Sequence, residues 1–171
     1  MVRSLCFAPT ALAWHRANHD ALNGLHSCCL TTGYETLPVC PALTGPSILF
    51  QQAKASDLSV FPDESFDTVI DSFGLCSYDD PVVAVEEMRR VCKPGGKVLL
   101  LEHGRSTLSW LNQRLDDSAE GHALSWGCHW NKDIVGIVKK AGIRGADISR
   151  WHFGTTVYVV HEKKENKESK D

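Results

Sequence analysis

Between residues 66 and 102 the apolar positions form two short runs separated by a helical pattern. Phe66-Asp-Thr-Val-Ile-Asp-Ser-Phe73 is β-branched in its middle, with room for burial on both faces, and predicts a strand. Val98–Leu101 predicts a second buried strand, with Glu102 at its carboxyl end. Between them Val82, Val85, Met88 and Cys92 recur at helical spacing, while Glu86, Glu87, Arg89 and Arg90 face water. Asp80 caps this helix, and Pro81 takes its first position, where the missing N–H costs nothing. Pro94-Gly95-Gly96 ends it. The spacing predicts a right-handed βαβ unit with two adjacent parallel strands.

Weaker patterns flank this unit. Ile48–Gln52 predicts a short strand, and residues 56–65 a loop. Thr107–Leu115 and Lys132–Ala141 predict helices; Asp116-Asp117 ends the first, and Asn131 and Gly142 cap and stop the second. Ile143–Ser149 and Thr156–His161 predict an antiparallel pair with Gly154 in the connection. Residues 1–47 differ in character. Ala11–Leu25 predicts a helix with Thr10 as its cap, and the following Cys28-Cys-Leu-Thr-Thr-Gly-Tyr is turn chemistry without a convincing strand. The expected division is an atypical segment at 1–47, the main domain at 48–162 and a wholly polar, disordered tail at 163–171.

Composition narrows the function classes. A chain of 171 residues with 43% apolar content can bury one core, and its net charge of −3 offers no basic stripe for nucleic acid. No apolar run approaches the length that spans a bilayer. Seven cysteines, an odd number, with Cys76 and Cys92 inside regular elements, argue for reduced thiols. Arg3 and Arg16 against the single acid Asp20 faintly match an organellar transit peptide, so the expected location is intracellular, mitochondrial or cytoplasmic. His15 with His19, and Cys28-Cys29 with Cys40, lack a full set of ligands at metal-binding spacing, and no metal centre is expected. Trp110, Trp126, Trp130 and Trp151 are expected to line the core or a lid, the alternative being that one or two face an apolar substrate.

In open parallel α/β sheets ligands bind outside the carboxyl ends of the strands. Three segments lie there: Ala55-Ser56-Asp57-Leu58, Asp71-Ser72-Phe73-Gly74 and Glu102-His103-Gly104-Arg105. Gly74 and Gly104 follow strands, where a bare backbone admits a ligand; the bland alternative is that they serve turns. His103 and Arg105 have two readings each: base or acceptor-orienting group and anion ligand, or plain turn hydrogen bonds.

The ordered set Phe61-Pro-Asp-Glu-Ser-Phe-Asp67, Asp80-Pro81 and Lys93-Pro-Gly-Gly96 resembles class I S-adenosylmethionine-dependent methyltransferases of the ubiquinone/menaquinone-biosynthesis type. The resemblance covers about 48–160. Trp126-Gly-Cys-His-Trp-Asn131 and His152-Phe-Gly-Thr-Thr156 draw it closer to the Oms-type mitochondrial methyltransferase-like proteins. It implies a Rossmann-like doubly wound α/β sheet with S-adenosylmethionine as cofactor. By the same resemblance Ala55, Ser56, Asp57 and Ser72 bind the cofactor, and Phe73, Gly74, His103 and Arg105 line the pocket of a small-molecule, lipophilic acceptor.

One departure stands out. Residues 1–47 contain neither the Gly-x-Gly turn after the first strand nor the acid that ends the second in this family; Gly24, Gly33 and Gly45 stand alone. The expected sheet is therefore incomplete, its first two strands missing or replaced. An alternative reading follows: a truncated, non-catalytic binding module with a protein partner covering the exposed sheet edge.

Overall fold

The computed structural model describes residues 3–8, 26–31 and 49–164. Among them seven strands build one sheet: β1 (Arg3–Ala8), β2 (His26–Thr31), β3 (Leu49–Gln52), β4 (Phe66–Ser72), β5 (Cys92–His103), β6 (Asp147–Trp151) and β7 (Thr156–Glu162). Their order is β3-β2-β1-β4-β5-β7-β6. The first five run parallel, and β7 pairs antiparallel with both β5 and β6. This is the doubly wound arrangement expected. The βαβ unit has the predicted topology, with Val69 opposite Val98 and α1 (Pro81–Val91) between the strands, but the helix ends at Val91, and Cys92 and Pro94-Gly95-Gly96 belong to β5, where Cys92 pairs with Phe66. Asp80 caps α1 through its side chain, which accepts the Val83 N–H at 3.1 Å.

The alternatives of missing or replaced first strands resolve to occupied positions. Residues 3–8 lie between β2 and β4, with Leu5 fully buried, and residues 26–31 lie between β1 and β3. The segment around Cys28-Cys29, read above as turn chemistry, is therefore a strand. A short segment with no alternation takes strand form when neighbours on both sides satisfy its N–H and C=O groups. Among the described residues the edges of the sheet are β3 and β6. The helix expected over Ala11–Leu25 and the tail beyond residue 164 lie outside the described residues.

Leu5, Val69, Val98, Leu100, Val157 and Val159 form the centre of the sheet's core. Ala84, Val85, Met88 and Val91 of α1 cover it, joined by Ile134 and Val138 of α3 (Ile134–Lys140). Two helix expectations need correction. Rather than ending at Asp116-Asp117, α2 runs Ser109–Trp126, because both carboxylates find side-chain partners on the helix surface or beyond it. It stops at Gly127 in the left-handed conformation. Asp133, not Asn131, caps α3, its carboxylate accepting the Gly136 N–H at 3.0 Å. Nor do the tryptophans line the core: Trp110, Trp126 and Trp151 are exposed, and only Trp130 is half-buried. Among the described residues no helix is long and apolar enough to cross a membrane.

Candidate functional site

Strand order reverses direction at β1 and β4, which are adjacent although far apart in sequence, and the crevice above such a switch point is where this architecture binds ligands. Register puts Asp71 beside Phe7 of β1 and Leu100 of β5, so β4 opens to the carboxyl edge at Ser72 and Phe73. Ser72 is half-buried. Phe73 is exposed and sits at φ 55°, a left-handed backbone that turns the chain sharply off the strand. Its N–H still donates to Leu101 O at 2.8 Å, tying the turn to β5.

Two carboxyl groups lie beneath this turn, both fully buried: Asp71 from β4 and Glu102 from β5. Glu102 accepts the N–H groups of Gly74 at 3.4 Å and Leu75 at 3.2 Å, so it fixes the turn from below. The Tyr78 hydroxyl donates to Asp71 Oδ1 at 3.0 Å, while Asp71 Oδ2 has no hydrogen-bond partner among the described residues. Burial pushes the Asp71 carboxyl up to about 7, although the Tyr78 bond pulls it down. Glu102 is raised well above the usual range by burial and then by the neighbouring Asp71 charge. Two acids side by side in low dielectric cannot both ionise, and the pair holds a shared proton. Sequence reading placed these acids at the ligand edge but gave them no role. An acid at the end of each of two adjacent buried strands was the available signal.

Gly74 is closely packed from within the chain. A Cβ there would collide with the Tyr78 hydroxyl and the Asp71 carboxylate, so the space above its Cα is filled from within the chain. Gly104 likewise lies against the Lys132 carbonyl and Ile134. Arg105 is committed to Asp116 through two bonds of 3.0 and 2.8 Å, and Asn131 donates to the same carboxylate at 2.9 Å. Its guanidinium ties β5's exit to α2 and is not held free for an anion.

His103 does stand at the mouth. Its ring lies 5.2 Å from that of Phe73, and its Nε2 is 2.7 Å from Cys128 Sγ. Burial, then the nearby His122, lowers its pKa, so the ring is neutral at pH 7. His122 stacks on Trp130 at 3.8 Å between centroids and extends the aromatic row away from Phe73. The structure thus brings together Ser72, Phe73 and His103 of the expected residues.

Ala55, Ser56 and Asp57 follow β3 on the other flank. Ala55 is buried in the core; Asp57 accepts the Ser59 N–H at 3.2 Å, and hydrogen bonds to Ser59 lower its pKa. Ser56 and Asp57 also line a surface cavity of about 520 Å³ that continues along α1 past Val83 to Glu87 and Arg90. Glu87 accepts the Leu58 N–H at 2.8 Å, and Arg90 donates to the carbonyls of Leu58 and Phe61 at 2.9 and 3.1 Å. This cavity lies along the loop clamped to α1, separate from the mouth at Phe73 and His103.

Comparison with known proteins gives the arrangement its family. Residues 15–100, half of the chain, match the family model described as a methyltransferase domain. The mitochondrial methyltransferase OMS1 of Saccharomyces cerevisiae is 38% identical over 106 residues, covering 62% of this chain and 22% of that protein. The ubiquinone/menaquinone biosynthesis C-methyltransferase UbiE of Burkholderia multivorans is 35% identical over 153 residues, covering 79% of this chain and 58% of that protein. The chain thus spans less than two thirds of the length of these curated relatives. Among solved structures, a possible histamine N-methyltransferase of Thermotoga maritima superposes with TM-score 0.66 at 15% identity, over 96% of this chain and 83% of its own. An S-adenosylmethionine-dependent methyltransferase of Mesorhizobium loti gives TM-score 0.66 at 16% identity, over 95% and 91%. The chain belongs to the methyltransferase-domain family.

Proposed function

We propose that the protein transfers a methyl group from S-adenosylmethionine to a small, lipophilic acceptor, with weak affinity for the cofactor. The observation that carries the reading is the mouth at the β1/β4 switch point, where half-buried Ser72 opens beside the aromatic faces of Phe73 and His103. The described residues fit the acceptor side of such a site. Asp71 and Glu102 beneath the turn hold at most one negative charge between them, which a sulfonium cation above the turn would favour. Bound S-adenosylmethionine supplies a methyl on a sulfonium, open to in-line attack. This chain's contribution is alignment and exclusion of water, which need no catalytic triad. Ser72 lies where both partners come near, and Phe73 with the neutral His103 forms an apolar wall.

Weak affinity follows from composition. Neither the stretch after β1 nor that after β2 contains a Gly-x-Gly turn. Losing the Gly-turn donors and the ribose acid, at about 1.5–3 kcal/mol each, weakens binding roughly a hundredfold or more. Calorimetric titration of the 171-residue chain with S-adenosylmethionine, alone and as Ser72→Trp, tests the reading. We expect binding in the high-micromolar to millimolar range, lost in the tryptophan variant with circular dichroism unchanged. Tight micromolar binding would mean that residues 1–47 supply a cradle of another kind. Binding indifferent to Ser72→Trp would remove the site from this mouth. No binding at all would leave the non-catalytic module as the better account.

A further inference from the structure

Three separate segments deliver soft donors to one point at the sheet's carboxyl edge. Cys76 comes from the turn after β4, His103 from the end of β5, and Cys128 from just past the left-handed cap of α2. One ligand atom from each lies within 4.8 Å of the other two. We propose that Cys76, His103 and Cys128 form a binding site for a soft divalent cation, zinc above all, with two thiolates and one imidazole as ligands and a fourth position left for water.

Donor type and spacing support it. Tetrahedral zinc with sulfur at 2.3 Å and nitrogen at about 2.0 Å holds its donors about 3.5–3.8 Å apart. His103 Nε2 and Cys128 Sγ, at 2.7 Å, are closer than that, so an ion entering the cluster spreads them by roughly 1 Å. His103 is half-buried at the mouth, which gives such a shift room. Three protein ligands of this kind with an open fourth place are the donor set of catalytic rather than structural zinc sites. Carboxylate-only ions such as calcium and magnesium would not choose two sulfurs.

The surroundings hold each ligand in place. The Cys76 carbonyl accepts the His129 N–H at 3.0 Å, which pins the turn after β4 to the segment carrying Cys128. His122 Nδ1 lies 2.9 Å from the Cys128 carbonyl, and Phe73 packs on the His103 ring. Burial raises both thiols, Cys76 to about 12, so the metal itself must draw off their protons; Lys132, which donates to the carbonyls of Leu75 and Tyr78 at 3.1 and 2.7 Å, opposes the rise only slightly. Outer contacts of this sort orient ligands around a metal. On binding, two S–H bonds release their protons to solvent and the neutral imidazole gives up none, so a divalent ion leaves the cluster uncharged overall.

Cobalt(II) titration of the full chain under anaerobic, reducing conditions tests the site, because thiolate-bound tetrahedral cobalt is coloured. We expect one equivalent to produce sulfur-to-metal charge-transfer and d–d bands, and one equivalent of zinc to erase them. Cys76→Ser, Cys128→Ser and His103→Gln should each remove or strongly weaken the bands. Cys92→Ser, a buried thiol outside the cluster, and Cys28→Ser/Cys29→Ser should leave them. Circular dichroism on every variant separates ligand loss from unfolding, and the wild-type titration stands by itself if a variant fails to fold. No bands in the wild type, or bands unaltered in folded Cys76→Ser and Cys128→Ser, would overturn the proposal. So would a reduced protein that takes up no metal but on oxidation forms a Cys76–Cys128 disulfide, which would make the pair a redox couple.

Discussion

The Tyr78 hydroxyl donates to Asp71 Oδ1 across 3.0 Å, beside the buried carboxyl of Glu102. It makes the turn between β4 and α1 part of the site's floor. Tyr78→Phe should cost about 1–3 kcal/mol, the range for leaving a buried acceptor unsatisfied. In an Asp71→Asn background, where no charge is stranded, the cost should fall to about 1 kcal/mol. A double-mutant cycle by urea denaturation at pH 8 decides it; equal costs in both backgrounds would show that the two side chains are not coupled.

The acid pair makes stability depend on pH. Asp71 binds its proton more tightly folded than unfolded, with a pKa of about 7 against an ordinary 3.8. Its contribution is therefore fully present below about pH 4 and is lost as pH rises toward 7, the reverse of a salt-bridged carboxylate. Asp71→Asn keeps the shape without the charge. The variant should gain on the wild type by a few kcal/mol at most between pH 5 and pH 8, and the gain should shrink at lower pH. Parallel melting profiles over that range would sink the idea of a shared proton.

Gly74 should tolerate no side chain. Gly74→Ala drives a methyl group into Tyr78 and Asp71, an overpacking that costs about 1–3 kcal/mol, and it loosens the Phe73 turn. Thermal unfolding would register the loss. A neutral Gly74→Ala would show that the turn relaxes freely, and the floor described above would be less rigid than its contacts imply.

Arg90 staples the loop after β3. Its guanidinium contacts the Leu58 and Phe61 carbonyls as well as Glu87 and Asp63. Arg90→Met should cost about 1–3 kcal/mol by leaving half-buried carbonyls unpaired. Amide hydrogen exchange over residues 57–63 should quicken more than exchange in β5. A uniform change across the sheet would argue for global destabilisation instead.

What could be read from the residues follows the range of the interactions. The βαβ unit is encoded locally, by the Asp80-Pro81 cap and the helical stripe, and it was legible; the helix end was not, since it stops at Val91 and Pro94-Gly95-Gly96 lie within β5. β1 and β2 were not, since Arg3–Ala8 and His26–Thr31 carry no alternation and become strands through neighbours distant in sequence. The length of α2 was hidden because Asp116 and Asp117 look like a terminus until Arg105, Asn131 and Gln113 are seen to hold them. The placement of Ser72, Phe73 and His103 at the carboxyl edge of the sheet was legible from the strand ends. The partnership of Asp71 with Glu102, and of Cys76 with His103 and Cys128, joins residues that local spacing cannot connect.

The antiparallel end of the sheet constrains how the chain can assemble. β7 lies between β5 and β6, yet β6 precedes it in the chain and pairs with nothing else in the sheet. During synthesis β6 emerges with no partner and must wait until β7 has left the ribosome and docked along β5. A stalled or proteolysed product ending anywhere in residues 152–155 therefore loses two strands rather than one. It bares the hydrogen-bonding edge of β5, where His103 sits, to whatever strand comes next.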